Sequence, residues 1–308
     1  MPASAPIQQN RPLGIALRLG AVLCFACMAA GIKLGYAAGA STIELVFYRF
    51  AFGLPPLLAW ILWSGNLNAW RTARPGAHLL RGVLGLTTMI LAFSALAYLP
   101  LAEATTIGFA APLFAVMLSA LILKEPVGRY RWSAVAAGFV GVLIVMQPAG
   151  SSLPPAGLAL AVASAFGVAA VTITIRQIGR TEGTQTTVLW FTSFSMIVVG
   201  ALMPFAAQMH DARGWAILLA VGLSGGIAQI LLTAALRFAP VSTVAPFDYT
   251  QLIWAVLLGW ALFDIHPAAT TWAGAAAIVA SGLYTLYREQ RLGVLERRRA
   301  SEAAQPEG

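Results

Sequence analysis

Long apolar runs recur from residue 13 to residue 287, and only short polar or Pro/Gly-containing breaks separate them. Each run is long enough to cross a hydrocarbon core about 30 Å thick, because a helix rises about 1.5 Å per residue. The runs are continuously apolar rather than alternating, which favours helices over barrel strands. The sequence therefore predicts an all-α polytopic membrane protein with ten transmembrane helices. We place them at 13–36, 43–64, 79–98, 101–123, 131–148, 155–176, 187–208, 215–236, 241–263 and 270–287.

Composition agrees with this fold class. The 308 residues are 59% hydrophobic and 10% charged, whereas a soluble domain carries about 25% charged residues. The chain therefore lacks the polar surface that a soluble enzyme or a nucleic-acid-binding module needs. We interpret its net charge of +8 as a signal of membrane orientation. The expected partners are the lipid bilayer and a small-molecule substrate, and no nucleic acid.

The distribution of basic residues predicts the orientation. With a cytoplasmic N-terminus, every Lys and Arg except Lys33, Arg49 and Arg213 is assigned to a cytoplasmic segment, and Arg18 and Arg81 are among those assigned. The positive-inside rule expects such an excess of basic residues on the cytoplasmic side, and the excess alternates correctly along the chain only with an even number of spans. We therefore expect a multi-pass protein of the bacterial inner membrane whose N- and C-termini are both cytoplasmic.

An internal duplication accounts for the number of spans. Residues 95–143 and 235–283 align without gaps at an offset of 140, and the aligned pairs include Pro100/Pro240 and Trp132/Trp272. The matched segments cover the predicted spans four to five and nine to ten. Two five-span halves follow from this alignment.

The predicted domain organisation is a first five-helix repeat over 1–148, a linker over 149–154, a second repeat over 155–288 and a basic cytoplasmic tail over 289–308. Because each repeat holds an odd number of spans, the second repeat enters the membrane from the opposite side. Inverted repeats (5+5) place a substrate site near the midplane between the halves. This organisation is typical of a transporter.

Short motifs carry a family resemblance from about residue 14 to residue 290. They are Ala95–Pro100, Ala111–Phe114, Leu123–Pro126, Gly138–Gly141 and Ala245–Tyr249. In this order they resemble EamA-type members of the drug/metabolite transporter (DMT) superfamily. The resemblance implies a ten-helix, 5+5 secondary transporter that moves small metabolites and has no ATP-binding domain.

A second set of residues resembles a bacterial branch of that superfamily that includes S-adenosylmethionine uptake carriers. These residues are Arg74–Pro75, His78–Leu79 and Arg81–Gly82. Asp248 stands where those carriers tend to have a basic residue. Export of an amino acid or a related metabolite is therefore the expected function, and S-adenosylmethionine-like uptake is the alternative.

Polar residues inside the spans are the candidates for substrate binding or coupling. A charge near the bilayer centre costs at least about 2.5–3.5 kcal/mol, so it is by default a functional hypothesis. Asp248 lies in the predicted ninth span, Gln251 shares its helix face and Trp254 follows one turn further along. Tyr249 and Gln229 complete the candidate set. The alternative for Asp248 is a structural hydrogen bond to a neighbouring helix.

A second polar set lies near the outer ends of the spans. It contains Glu44, Arg49, Lys33 and Glu103, and we predict an outer gate there. A carboxylate anchor for an amino-acid-like substrate fits the same residues. The structural alternatives are an ion pair between Glu44 and Arg49, a Lys33 side chain that reaches the interface, and a plain interfacial acid at Glu103.

Other chemistry has little support in the sequence. Cys24 and Cys27 lie in an apolar span, where we expect them to pack as inert thiols. No phosphate-binding loop, metal framework or His-acid cluster occurs in the sequence, so a polytopic membrane enzyme is the less favoured class. A passive channel is another alternative, which transport that never saturates or exchanges would support. Gly31-x-x-x-Gly35 and Gly222-x-x-x-Gly226 indicate close helix packing, either within the bundle or in a homodimer.

Overall fold

The computed structural model describes residues 10–65, 68–122, 124, 128–147, 153–179 and 181–303. Within these residues the chain forms α-helices and one 3-10 helix, without strands. Residues 149–152 of the predicted linker and residues 304–308 of the predicted tail lie outside the described residues.

Seven helices make up the described part of the first half. They are α1 (Arg11–Ala37), α2 (Thr42–Ala51), α3 (Leu54–Trp63), α4 (Pro75–Tyr98), α5 (Leu101–Gly108), α6 (Ala111–Ile122) and α7 (Arg129–Met146). The first of them begins where the Asn10 side chain accepts a hydrogen bond from the Leu13 backbone N–H at 3.1 Å. This is an ordinary N-cap, which satisfies a backbone donor that the helix leaves free.

The second half is described from residue 153 onward. Its elements are α8 (Pro155–Ile178), α9 (Thr184–Ala206), α10 (Ala212–Phe238), α11 (Val241–Val244), the 3-10 helix Ala245–Thr250, α12 (Gln251–Phe263) and α13 (Ala269–Ala303). The last helix extends beyond the predicted tenth span and includes most of the predicted basic tail.

Seven helices or helix pairs of the described chain are long and apolar enough to cross a membrane. They are Arg11–Ala37, Thr42–Trp63, Pro75–Tyr98, Leu101–Ile122, Pro155–Ile178, Thr184–Ala206 and Ala212–Leu236. A shorter apolar helix covers Trp132–Met146. The chain is therefore an all-α polytopic membrane protein, while the count of ten spans stays a prediction.

Two of the predicted spans, 101–123 and 241–263, are broken rather than continuous. The first breaks at Phe109–Ala110, between α5 and α6, and the second contains the 3-10 helix. Each break is followed by a proline, Pro112 or Pro246, in the first turn of the next element. Proline has no N–H to donate and clashes with the preceding turn, so it favours a helix start over a helix interior.

The two broken segments correspond in register. The helices α5 and α11 begin at Leu101 and Val241, and α6 and α12 begin at Ala111 and Gln251. Both pairs of starting residues differ by 140, the offset of the sequence duplication. The broken segments of the two halves therefore begin and restart at corresponding residues, although α5 ends at Gly108 and α11 already at Val244.

The predicted second span is also divided, into α2 and α3, at Phe52 and Gly53. At this point Gly53 lies against Gly222 and Gly226 of α10, close enough that a side chain on Gly53 would meet the α10 backbone. The Gly222-x-x-x-Gly226 pattern therefore packs within the bundle, as one of its two interpretations predicted.

Two antiparallel helix pairs hold the bundle together, α1 with α10 and α4 with α8. In the first pair Gly14 packs against Ala239, and in the second Gly157 packs against Leu99. Ala239 and Leu99 are again 140 residues apart. We call the end of the bundle where α1 begins the N-terminal face, and the other end the opposite face.

The helices α7 and α13 form a third antiparallel pair. The Ser281 hydroxyl donates to the Ala134 carbonyl oxygen at 2.5 Å. Seven residues away along each helix, the backbones of Gly141 and Gly274 approach each other closely. The offset of 140 converts the first of these contacts into the second, because it relates Ala134 to Gly274 and Gly141 to Ser281. The packing of this pair is therefore two-fold symmetric.

Candidate functional site

A cavity of about 790 Å³ lies at the broken segments, between α1, α6, α8, the 3-10 helix and α13. Its polar and aromatic lining includes Arg18, Phe109, Asp248, Tyr249 and Gln251. We call it the Asp248 cavity. Its size falls in the range of small-molecule sites, which is about 300–1,000 Å³. Three of the predicted binding residues are thus brought together.

Asp248 is held in a bidentate ion pair. The Nε and Nη2 atoms of Arg18 donate to Oδ1 and Oδ2 of Asp248, each at 2.5 Å. The Asp248 side chain is 38% exposed and that of Arg18 is 13% exposed. The pair joins α1 to the 3-10 helix. Arg18, which the sequence assigns to the cytoplasmic basic residues, is therefore a cavity residue and the partner that sequence reasoning did not give to Asp248.

Aromatic rings provide another part of the cavity wall. The rings of Phe109 and Tyr249 meet edge to face, with centroids 5.1 Å apart. These two residues also differ by 140, so the duplication places corresponding residues in contact with each other. Phe25 of α1 lines the same cavity. Polar and aromatic side chains therefore line the same cavity, at the point where the two halves meet.

A second cavity, of about 660 Å³, lies between α2, α3, α4, α9 and α10. Arg49, Arg81 and Gln229 line it, so Gln229 is separated from the other predicted binding residues. Leu232 of α10 lines both cavities, which adjoin at that residue. Trp254 lines neither of them. We call this one the arginine cavity.

Glu44 ties α2 to the connection between α9 and α10 at the opposite face. Its side chain is fully buried. Oε2 accepts the Ser41 N–H at 2.8 Å, as in a capping box, and Oε1 accepts the Gln208 N–H at 2.7 Å. The same Oε1 lies 2.9 Å from Nε2 of His210. Glu44 thus pairs with His210 rather than with Arg49, the partner that the sequence suggested.

Two further predicted gate residues join helices at the opposite face. The Lys33 ammonium donates to the carbonyl oxygens of Leu96 at 3.3 Å and Leu99 at 3.0 Å. Oε1 of Glu103 accepts the Thr271 hydroxyl at 2.9 Å. Lys33 and Glu103 therefore link α1 to α4 and α5 to α13 by polar contacts at the opposite face.

A polar contact at the N-terminal face links the loop before α4 to the loop before α9. Oε1 of Glu182 accepts the Thr72 hydroxyl at 2.8 Å and the Ala73 N–H at 3.0 Å. The Thr72 hydroxyl holds the pKa of the Glu182 carboxyl below its ordinary value; burial opposes this effect and the Ala73 N–H adds to it. Glu182 also lines the arginine cavity. This contact therefore lies at the mouth of that cavity.

Among the described residues, no group of three or more His, Cys, Asp and Glu side chains could hold a metal ion. Cys24 and Cys27 are free thiols.

The residues that sequence reasoning missed are Arg18, Arg81 and His210. Position along the helix was the available signal for the arginines, because Arg18 is the eighth residue of α1 and Arg81 the seventh residue of α4, well inside each helix.

The model of the EamA-like transporter family matches twice, over residues 12–147 and 155–287. A solved crystal structure superposes with a TM-score of 0.63 at 20% identity, covering 92% of this chain and 99% of that chain. At that identity the likeness concerns the fold alone.

Among similar proteins, a riboflavin transporter of Rhizobium johnstonii is 31% identical over 261 residues, which cover 84% of this chain and 84% of the relative. A riboflavin transporter of Vibrio cholerae is 30% identical over 83% of this chain and 86% of its own length. An S-adenosylmethionine uptake transporter of Rickettsia prowazekii is 29% identical over 81% of this chain and 84% of its own length. The chain therefore belongs to the EamA-like transporter family, and it is an integral membrane transporter rather than an enzyme.

Proposed function

We propose that this chain is a secondary active transporter that moves a small metabolite across the bacterial inner membrane by alternating access between two inverted five-helix repeats. The observation that carries the proposal is the position of the Asp248 cavity, which lies where the corresponding segments of both halves break. Broken helices supply polar groups to substrate sites in secondary transporters built from inverted repeats.

The inversion of the repeats is supported by helix packing. The helices α7 and α13 correspond under the duplication, and they pack antiparallel to each other through two-fold-related contacts. Corresponding helices that run in opposite directions belong to repeats of opposite orientation. The double match to one family model, over 12–147 and 155–287, is a further support for two repeats.

Alternating access is supported by the difference between the two faces. Contacts of Glu44, Lys33 and Glu103 close the opposite face, whereas the arginine cavity extends to the loop residues Ser64 and Glu182 of the N-terminal face. With both termini in the cytoplasm, this arrangement is an inward-facing state. Rocking of one repeat against the other would exchange the closed face for the open one.

For the substrate we propose a metabolite with a planar heterocyclic ring. The relatives named above carry riboflavin or S-adenosylmethionine, and both molecules contain such a ring. In this chain Phe25, Phe109 and Tyr249 offer ring surfaces beside the Arg18–Asp248 pair. Aromatic faces bind planar ligands by offset stacking. Export of an amino acid, which the sequence favours, stays a second candidate because the charged pair also fits an amino acid's two charges.

Solute counterflow in proteoliposomes tests the proposal. Purified protein is reconstituted, the vesicles are loaded with one unlabelled compound, and entry of the same labelled compound is followed. The panel holds riboflavin, S-adenosylmethionine, adenosine and several amino acids. Saturable exchange of a heterocyclic member is the expected result, and protein-free vesicles are the control.

Other outcomes of this experiment are equally informative. Exchange of amino acids alone would replace the heterocycle with the second candidate and would keep the carrier mechanism. Uptake that neither saturates nor exchanges would contradict a carrier and indicate a passive channel. Monodisperse elution of the reconstituted protein establishes that a negative result concerns function and not folding.

A further inference from the structure

Two guanidinium groups lie inside the arginine cavity without a carboxylate partner among the residues that the structure describes. Arg49 of α2 is 8% exposed, and its Nε has no hydrogen-bond partner. Nε and Nη1 of Arg81 in α4 are also buried and unpartnered. Glu182 lines the same cavity, but it accepts from Thr72 and Ala73 and forms no ion pair with either arginine.

Aromatic rings hold these arginines in place. The guanidinium carbon of Arg81 lies 4.0 Å from the ring centroid of Phe191, and that of Arg49 lies 4.8 Å from the ring centroid of Phe50. The two rings pack edge to face, with centroids 5.3 Å apart. A ring face attracts a cation without using its N–H donors. The packing therefore fixes both guanidinium groups and leaves donors available to a ligand.

The charges of the two groups require compensation. Arg49 and Arg81 line the same cavity, and the two rings beside which they lie are in contact with each other. A buried charge is costly unless it is paired, and a second charge of the same sign beside it adds to that cost. An anion in the cavity would satisfy both the charge and the unpartnered N–H groups. Guanidinium groups suit oxyanions in particular, because their parallel N–H groups can donate to two oxygens at once.

We propose that Arg49 and Arg81 form a binding site for one oxyanion group, a carboxylate or a phosphate. The arginine cavity holds about 660 Å³ and extends to the N-terminal face, so an anion can enter it from that side. This inference deepens the proposed function: where the oxyanion belongs to the transported molecule, the substrate carries an acidic group beside its ring. Where it is a separate inorganic ion, it binds together with the substrate.

Direct binding tests the site without any transport. Purified full-length protein is incubated with radiolabelled inorganic phosphate at constant ionic strength, and binding is followed by scintillation proximity. The expected result is saturable binding that unlabelled phosphate and acetate displace. Arg49→Gln and Arg81→Gln should each weaken phosphate binding about tenfold or more, as expected for a lost hydrogen bond between charged groups.

Control variants keep the test decisive. Arg213→Gln removes the same charge from an exposed position at the start of α10, and it should bind phosphate as the wild type does. Arg49→Lys and Arg81→Lys retain the charge and lose the two parallel donors, so they decide the matter if the glutamine variants do not fold. Absent saturable binding to the wild type, or wild-type affinity in both lysine variants, would overturn the proposal.

Counterflow then identifies the source of the oxyanion. Competitive inhibition of substrate exchange by phosphate indicates that the group belongs to the substrate. Unchanged or faster exchange, with phosphate still bound, indicates a separate ion. Because phosphate binding and exchange are measured independently, a protein that exchanges substrate but binds no phosphate contradicts only this inference. A protein that binds phosphate but exchanges nothing contradicts only the proposed carrier.

Discussion

Single residues decide how charge is held inside this bundle. Arg18 and Asp248 neutralise each other in the Asp248 cavity, and His210 contacts the Glu44 carboxylate. Arg49 and Arg81 line one cavity without a carboxylate partner in the described part of the chain. The first arrangement has a net charge near zero and the last a net charge of about two. A substitution therefore has a different expected effect in each place.

Asp248→Asn is expected to abolish counterflow or reduce it by about tenfold or more, because Arg18 then keeps its charge in the cavity without a counterion. The yield of folded protein should stay unchanged, since Asp248 is partly exposed. Exchange in proteoliposomes and size-exclusion elution measure the two effects. Asp264→Asn is the matched control: it makes the same change at an exposed position, where the left-handed backbone (φ 53°) suits asparagine. Unchanged exchange in Asp248→Asn would contradict a role for this residue.

Glu182 gives an expected acid dependence of stability. Its pKa is lowered in the folded protein, chiefly by the Thr72 hydroxyl, so its contribution to stability is complete above the ordinary glutamate pKa of about 4.3. That contribution is lost as the pH falls through the lower pKa of the folded state. The melting temperature of Glu182→Gln should therefore fall less on acidification than that of the wild type. Equal acid dependence in the two proteins, with Asp264→Asn as the reference, would be the contrary result.

At the scale of elements, the crossing of α7 and α13 depends on two glycines. A Cβ added to Gly141 would lie 2.8 Å from the backbone oxygen of Gly274, which cannot rotate away as a side chain can. The two helices must then separate along their whole contact. The same crossing carries the Ser281–Ala134 hydrogen bond, so both interactions respond to one change.

Gly141→Ala is expected to lower the free energy of unfolding by about 1–3 kcal/mol, the usual cost of overpacking. Gly76→Ala is the matched control, because Gly76 lies in the first turn of α4 with no neighbouring atom within 4 Å of an added Cβ. That variant should be unchanged or more stable by up to about 1 kcal/mol. Thermal unfolding in one detergent compares them. Equal stabilities of the two variants would mean that α7 and α13 do not touch at this crossing.

At the scale of the whole molecule, the loops of the two faces should lie on opposite sides of the membrane. Met209, between α9 and α10, is fully exposed, and Arg71, between α3 and α4, is exposed at the N-terminal face. In a background of Cys24→Ala and Cys27→Ala, Met209→Cys should react with a membrane-impermeant maleimide in intact spheroplasts. Arg71→Cys should react only after the membrane is permeabilised.

A membrane-permeant maleimide, which should label both cysteines, is the control for this experiment. Labelling of Arg71→Cys from outside would reverse the predicted orientation. Labelling of both cysteines from outside would show that the number of spans between residues 71 and 209 is not the odd number that the ten-span prediction requires.

Hydropathy was sufficient to predict an all-α membrane protein, because a run of apolar residues depends only on local sequence. The breaks at Phe109–Ala110 and in the 3-10 helix were not predicted, since the apolar runs 101–123 and 241–263 are continuous in the sequence. Asp248 and Gln251, which the sequence puts on one face of a continuous helix, lie on the 3-10 helix and at the start of α12, and both line the Asp248 cavity. The partner of Asp248 lies 230 residues away in α1. A hydropathy pattern is local, so it cannot indicate a contact between such distant residues.

Arg81 was missed for a related reason. The positive-inside rule counts basic residues near the ends of spans, and it treats an arginine in the second turn of a helix as part of the loop. Whether such a side chain reaches out to the interface or turns toward the bundle depends on its neighbours. Gly85 and Phe191 leave room for the Arg81 guanidinium inside, and only the structure brings those residues together.

The Arg18–Asp248 pair has one more consequence, because the duplication did not copy it. Gly108 occupies the position that corresponds to Asp248 in the first half. An exchange of roles between the two halves therefore cannot recreate this ion pair on the other side of the symmetry axis. We therefore expect the two end points of the proposed cycle to differ in energy, with the empty carrier resting preferentially in the state that joins Arg18 and Asp248. One aspartate without a counterpart in the first half would thus make one of the two states more stable, although the two repeats share their fold.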